Sequence, residues 1–94
     1  MSVSESIAKK LSDEFAPVEL VVEDESARHA GHSGARPGGE THFRIRIVSP
    51  AFSGMSRLAR QRRIHELLSE ELSAHVHALS IVARAPGERD PNDP

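Results

Sequence analysis

The chain has 94 residues, a net charge of −2, three Phe and no Trp or Tyr. One small domain of this length buries about two-thirds of its unfolded surface, so its core is thin and must come largely from Val, Ile, Leu and Ala. The charge balance gives no reason to expect nucleic acid or an anionic membrane, and the lack of cysteine excludes disulfides, thiol nucleophiles and thiolate metal sites built from this chain alone.

Ser2 and Glu5 stand at capping-box spacing. Val3, Ile7, Leu11 and Phe15 then recur every four residues, which predicts one apolar helix face ending before Pro17. "VELVVE" from Val18 to Glu23 is β-branched and partly alternating, and predicts a strand. The fifteen residues from Ser26 to Glu40 are too glycine-rich to bury anything, and they carry His29 and His32. "HFRIRIV" alternates cleanly, with Phe43, Ile45 and Ile47 on one face and His42, Arg44 and Arg46 on the other; it predicts a half-buried strand of an antiparallel sheet.

"SPAFSG" is a turn, and Ser56 is placed to cap a second helix. Leu58, Ile64, Leu67, Leu68 and Leu72 form that helix's expected apolar stripe. "VHALSIVA" from Val76 to Ala83 predicts the third strand. From Pro86 the chain carries three prolines and four charges in nine residues, so the expected division is a domain over 1–85 and a disordered tail over 86–94. No apolar run approaches a membrane span, and "MSVSESIAKK" lacks the apolar stretch of a secretory signal; a cytoplasmic location is expected.

The element order is thus α-β-β-α-β, an α+β two-layer sandwich on a three-stranded sheet with the Arg44/Arg46 face left to solvent. The stretches "VVEDESARHAG", "GGETHFRIRIVSPAFSG", "RLARQRRIHELLSEEL" and "VHALSI", in this order, resemble the BolA family. The resemblance runs from about Ile7 to Ala83. It implies a fold similar to the class II KH domain. It also implies an adaptor that partners a monothiol glutaredoxin and shares a [2Fe–2S] cluster with it, in iron–sulfur cluster trafficking or iron sensing. In bacteria the family is associated with transcriptional control of morphology and stress responses.

The cysteine-free composition bears on that implication. Two histidines can replace two cysteines on one iron of a [2Fe–2S] cluster. This chain offers imidazole only, so thiolates must come from elsewhere. By the resemblance the ligands fall on His77 in "VHAL" and on His29 in "RHAG", with His32 the alternative loop ligand. A glutaredoxin cysteine and a glutathione thiol would complete the other iron, and no cofactor is expected in the isolated chain. Imidazole ligation raises the cluster potential and is sensitive to protonation below about pH 6.5.

His42 is read as structural, His75 as a turn residue and His65 as a helix-surface group. A zinc site using imidazole alone is the other metal reading. Gln61 stands where BolA-like chains often carry His.

The second helix places Arg57, Arg60, Arg62 and Arg63 before Glu66, Glu70 and Glu71, against the sense a helix dipole favours. Those arginines form the candidate surface for a partner or for DNA, and a KH-like DNA-binding regulator is the alternative function. Against it, the turn "FSGMS" lacks the GxxG clamp of a KH module and the exposed strand face has no aromatic side chains. No nucleophile–base–carboxylate set stands out, so an enzyme is not expected.

Overall fold

The computed structural model describes residues 2–25, 42–74 and 76–88. Helix α1 spans Val3–Phe15, strand β1 Glu19–Asp24, strand β2 His42–Val48, helix α2 Arg57–Leu67, helix α3 Ser69–Ala74 and strand β3 Ala78–Arg84. A 3-10 turn, Pro50–Phe52, follows β2. No described helix is long and apolar enough to cross a membrane.

The start of α1 follows its capping spacing. The Glu5 N–H donates to Ser2 Oγ at 3.1 Å, and the Ser2 hydroxyl donates to the Glu5 carboxylate at 3.1 Å. The helix buries Ile7, Leu11 and Phe15, the face that their spacing marks out. It ends at Ala16 in the left-handed conformation, φ 43°, where the Ala16 N–H bonds to Ser12 O at 3.1 Å.

The sheet order is β1-β2-β3. β1 and β2 are antiparallel, but β2 and β3 are parallel, with His42 opposite Ala78 and Val48 opposite Arg84. The sheet is therefore mixed, not antiparallel throughout. The reason is the connection: α2 and α3 carry the chain back along the sheet, so β3 starts at the same end as β2.

Phe43, Ile45 and Ile47 are buried against the helices, while Arg44 on the other face is exposed. Phe52 is fully buried, its ring centroid 4.8 Å from that of Phe15. Buried Ser49 ties three elements together. Its Oγ donates to Phe15 O at 2.6 Å and accepts from Ala51 N–H at 3.1 Å, and its N–H donates to Arg84 O at 3.0 Å. Gly54, φ 81°, turns the chain into the Ser56 cap of α2, whose Oγ accepts from Ala59 N–H at 3.1 Å.

Two features of the second helix differ from the sequence reading. It breaks at Leu68 into α2 and α3, and Leu58 is 57% exposed instead of joining the core. The inward row is Arg60, Ile64 and Leu68, one residue every four. Leu58, two residues from Arg60, falls about 200° round the helix from it. Glu71 is likewise buried, joining α3 to α1 through Lys10 Nζ at 3.0 Å and Ser6 Oγ at 2.8 Å. Burial pushes the Glu71 carboxyl up, but the Lys10 and Ser6 hydrogen bonds outweigh it and hold the group below the usual carboxylate range.

The left-handed Ala16 sets up a stability test. An L-residue with a Cβ in this conformation costs roughly 1–2 kcal/mol, part of which glycine returns through its freer unfolded chain. Ala16→Gly is expected to stabilise the domain by about 0.5–1 kcal/mol, raising Tm by about 3–6 °C in a calorimetric scan.

Candidate functional site

One end of the sheet gathers the end of β1 and the starts of β2 and β3. Glu25, just past β1, donates its N–H to His42 O at 2.7 Å. His42 opens β2 and is half-buried. His77 immediately precedes β3 and is exposed. The parallel register puts these two histidines side by side, their ring centroids 6.4 Å apart and their planes at 59°. The Glu25 carboxylate, mostly buried, lies 3.6 Å from the Arg44 guanidinium on the same side of the site.

His29 and His32 lie outside the described residues, as does His75. Their segment follows Glu25 and rejoins the described chain at His42, so both of its described flanks stand at this sheet end, His42 next to His77. His65 is exposed on α2. Among the described residues no three His, Asp or Glu side chains come together as a metal site. The neighbour that sequence reasoning placed outside the ligand set is His42; strand pairing, which spacing along the chain cannot reveal, brings it to His77.

The four arginines of α2 do not form one surface. Arg57, Arg62 and Arg63 are exposed, and Arg63 pairs with Glu14 of α1. Arg60 is only 6% exposed and points inward. Its Nε donates to Met55 O at 3.1 Å and its Nη1 to Ala83 O at 3.1 Å. Its fork grips Glu88 in a bidentate pair, at 2.6 Å through Nη1 and 2.9 Å through Nη2, while the guanidinium lies 5.8 Å from the Phe52 ring centroid. Arg60 therefore leaves the set of candidate partner-contacting residues and fastens α2 to β3.

This also corrects the boundary after residue 85. Gly87, φ 88°, turns the chain so that Glu88 comes back onto Arg60 and its carboxylate accepts from Ala85 N–H at 2.9 Å. Residues 86–88 belong to the folded unit; residues 89–94 of the expected tail lie outside the described residues. Gln61 donates from Nε2 to Ile81 O at 3.1 Å, a second tie between α2 and β3.

The BolA-like protein family model matches residues 11–88, most of the chain. The chain belongs to the BolA family. It is 53% identical over 89 residues to an uncharacterised protein of Sinorhizobium sp, covering 94% of this chain and 96% of that one. It is 42% identical over 79 residues to the "DNA-binding transcriptional regulator BolA" of Vibrio cholerae, covering 84% of this chain and 71% of that one. Among solved structures, the BolA domain of SufE1 from Arabidopsis thaliana matches with a TM-score of 0.82 and 52% identity, covering 95% of this chain and 98% of that one. The chain spans only 60% of some curated relatives, BolA-like protein 1 of Mus musculus among them. The BolA fold expected from the sequence, α+β with a three-stranded sheet, is the one observed.

The Arg60 pair predicts an acid-sensitive lock. Its hydrogen bonds to Glu88 hold that carboxyl down at about 2, against an ordinary unfolded value of about 4.3. The stabilisation is complete above the unfolded value and is lost as pH falls towards the folded one. Glu88→Gln is expected to flatten the acid limb of the stability curve between about pH 4.3 and 2, measured by urea unfolding at a series of pH values.

Proposed function

We propose that this BolA-like chain is a non-enzymatic adaptor that pairs with a monothiol glutaredoxin and shares a [2Fe–2S] cluster with it. In this reading the cluster is cargo for trafficking or sensing. His77 and His29, or His32 in its place, are the imidazole ligands of one iron. The glutaredoxin cysteine and a glutathione thiol hold the other.

The observation that carries the proposal is the position of His77. It is exposed at the sheet end that anchors both flanks of the histidine-bearing segment. His29 follows Glu25 by four residues, a tether of at most about 14 Å, whereas His32 follows by seven. The donor set fits a shared centre: imidazoles on this side and no thiolate in the chain. His42 lies beside His77 on this side of the centre, its ring centroid 6.4 Å away.

A second reading, a DNA-binding regulator, is favoured by the name of the Vibrio cholerae relative. The exposed Arg57, Arg62 and Arg63 are its candidate contacts. Salt-dependent, sequence-specific gel shifts by the free chain, abolished by Arg62→Ala with Arg63→Ala, would support it over the cluster reading.

The chain co-expressed with the host's monothiol glutaredoxin is expected to give a coloured complex with a Rieske-like absorption and circular dichroism spectrum. His77→Ala is expected to abolish that spectrum, and one of His29→Ala and His32→Ala to do the same. A colourless complex, or the glutaredoxin homodimer spectrum in every sample, contradicts the reading.

A further inference from the structure

β3 is an edge strand, and its outer edge is lined in an uneven way. Along a strand the N–H and C=O of one residue point to the same side, and the next residue's point to the other. Arg84 O accepts from Ser49 N–H on the β2 side. Leu79, Ile81, Ala83 and the following Ala85 therefore point their backbone groups outward. The outward carbonyls of Ile81 and Ala83 are already taken, by Gln61 and Arg60. The Ala85 N–H is taken by Glu88. The outward N–H groups of Ile81 and Ala83 face away from β2, beside α2.

Beyond this edge lies a groove of about 320 Å³, whose lining includes Arg57, Arg60, Arg84 and Glu88. A bare edge would offer donors and acceptors equally and would pair with any strand. Along the groove the Ile81 and Ala83 acceptors are capped and their donors remain. The charge of the lining is uneven in the same sense: three arginines against one carboxylate, Glu88 of the last described turn, with Arg84 also 3.7 Å from Glu19 of β1. The groove thus already houses one acid on Arg60. Arg57 is exposed and has no carboxylate partner among the described residues.

We propose that the groove between α2 and the outer edge of β3 docks an extended acidic segment of a partner protein. Its backbone carbonyls accept from the Ile81 and Ala83 N–H groups and its carboxylate pairs with Arg57. Those two N–H groups are one two-residue step apart, about 6.7 Å, the repeat of an extended peptide. The wall between the arginines is aliphatic, from Ile81, Val82 and Ala83, and holds no aromatic ring on which a nucleic acid base could stack. A peptide therefore fits better than a nucleic acid strand. The proposal uses neither His77 nor the segment that carries His29, so it stands or falls apart from the cluster reading.

The test is an NMR titration of the full chain, labelled with ¹⁵N, with a short acetylated peptide alternating glutamate and valine. Controls are the same peptide with lysine for glutamate, and an oligothymidylate. The glutamate peptide is expected to shift the Ile81 and Ala83 amide signals, more weakly at higher salt. Arg57→Glu is expected to weaken it about tenfold or more, the size of one charge-assisted contact, while leaving the rest of the spectrum in place. No shift at millimolar peptide, shifts confined to other residues, an undiminished response in Arg57→Glu, or equal binding of the lysine peptide would each overturn the proposal. Tighter binding of the oligothymidylate at the same amides would also overturn it and make the groove a nucleic acid site.

Discussion

The parallel pairing of β2 with β3 is the constraint on which both ends of this molecule depend. The helical return through α2 and α3 makes the two strands start together, and the register sets His42 opposite Ala78. His77 is consequently placed beside His42, at the sheet end where the histidine-bearing segment is anchored. An antiparallel β3 would carry His77 to the opposite end of the sheet. The same topology leaves β3 as an edge, with α2 running alongside it and able to reach its carbonyls.

A parallel edge strand held mainly by a thin core needs a fastening at its far end, and Arg60 supplies it. Its guanidinium joins the turn before α2, the end of β3 and the last described turn through four hydrogen bonds, and it lies beside the ring of Phe52. Removing a buried partner of this kind leaves the rest of the set unsatisfied, which costs more than the bond itself contributed. Glu71 with Lys10 and Ser6 does the corresponding work between α3 and α1. A domain with three Phe and no Trp or Tyr thus closes its periphery with buried ion pairs, leaving its aliphatic residues for the centre.

The elements were legible in the sequence where periodicity is undiluted. The four-residue recurrence in α1 and the alternation of "HFRIRIV" each name the buried face correctly. The second helix was not, because two of its inward positions hold Arg60 and Glu71, which an apolar pattern cannot flag, and Leu58 took Arg60's place in the reading. The row 60, 64, 68 would have shown it, had a charged residue on that row been allowed an inward partner. Glu88 falls in the expected tail because composition sees prolines and charges but not the carboxylate that meets Arg60. Within the site, the resemblance pointed to His77, while its nearness to His42 is a consequence of strand pairing and invisible along one chain.

The central claim is that imidazole from this chain ligates a cluster whose thiolates come from elsewhere. Pulsed electron paramagnetic resonance of the reduced complex tests it most directly, with ¹⁵N-histidine incorporated only into this chain and unlabelled glutaredoxin and glutathione. The account predicts two strongly coupled ¹⁵N nuclei in the wild-type complex, and loss of this doubly coupled centre when His77 is replaced. A reduced cluster with no ¹⁵N coupling from this chain would contradict it.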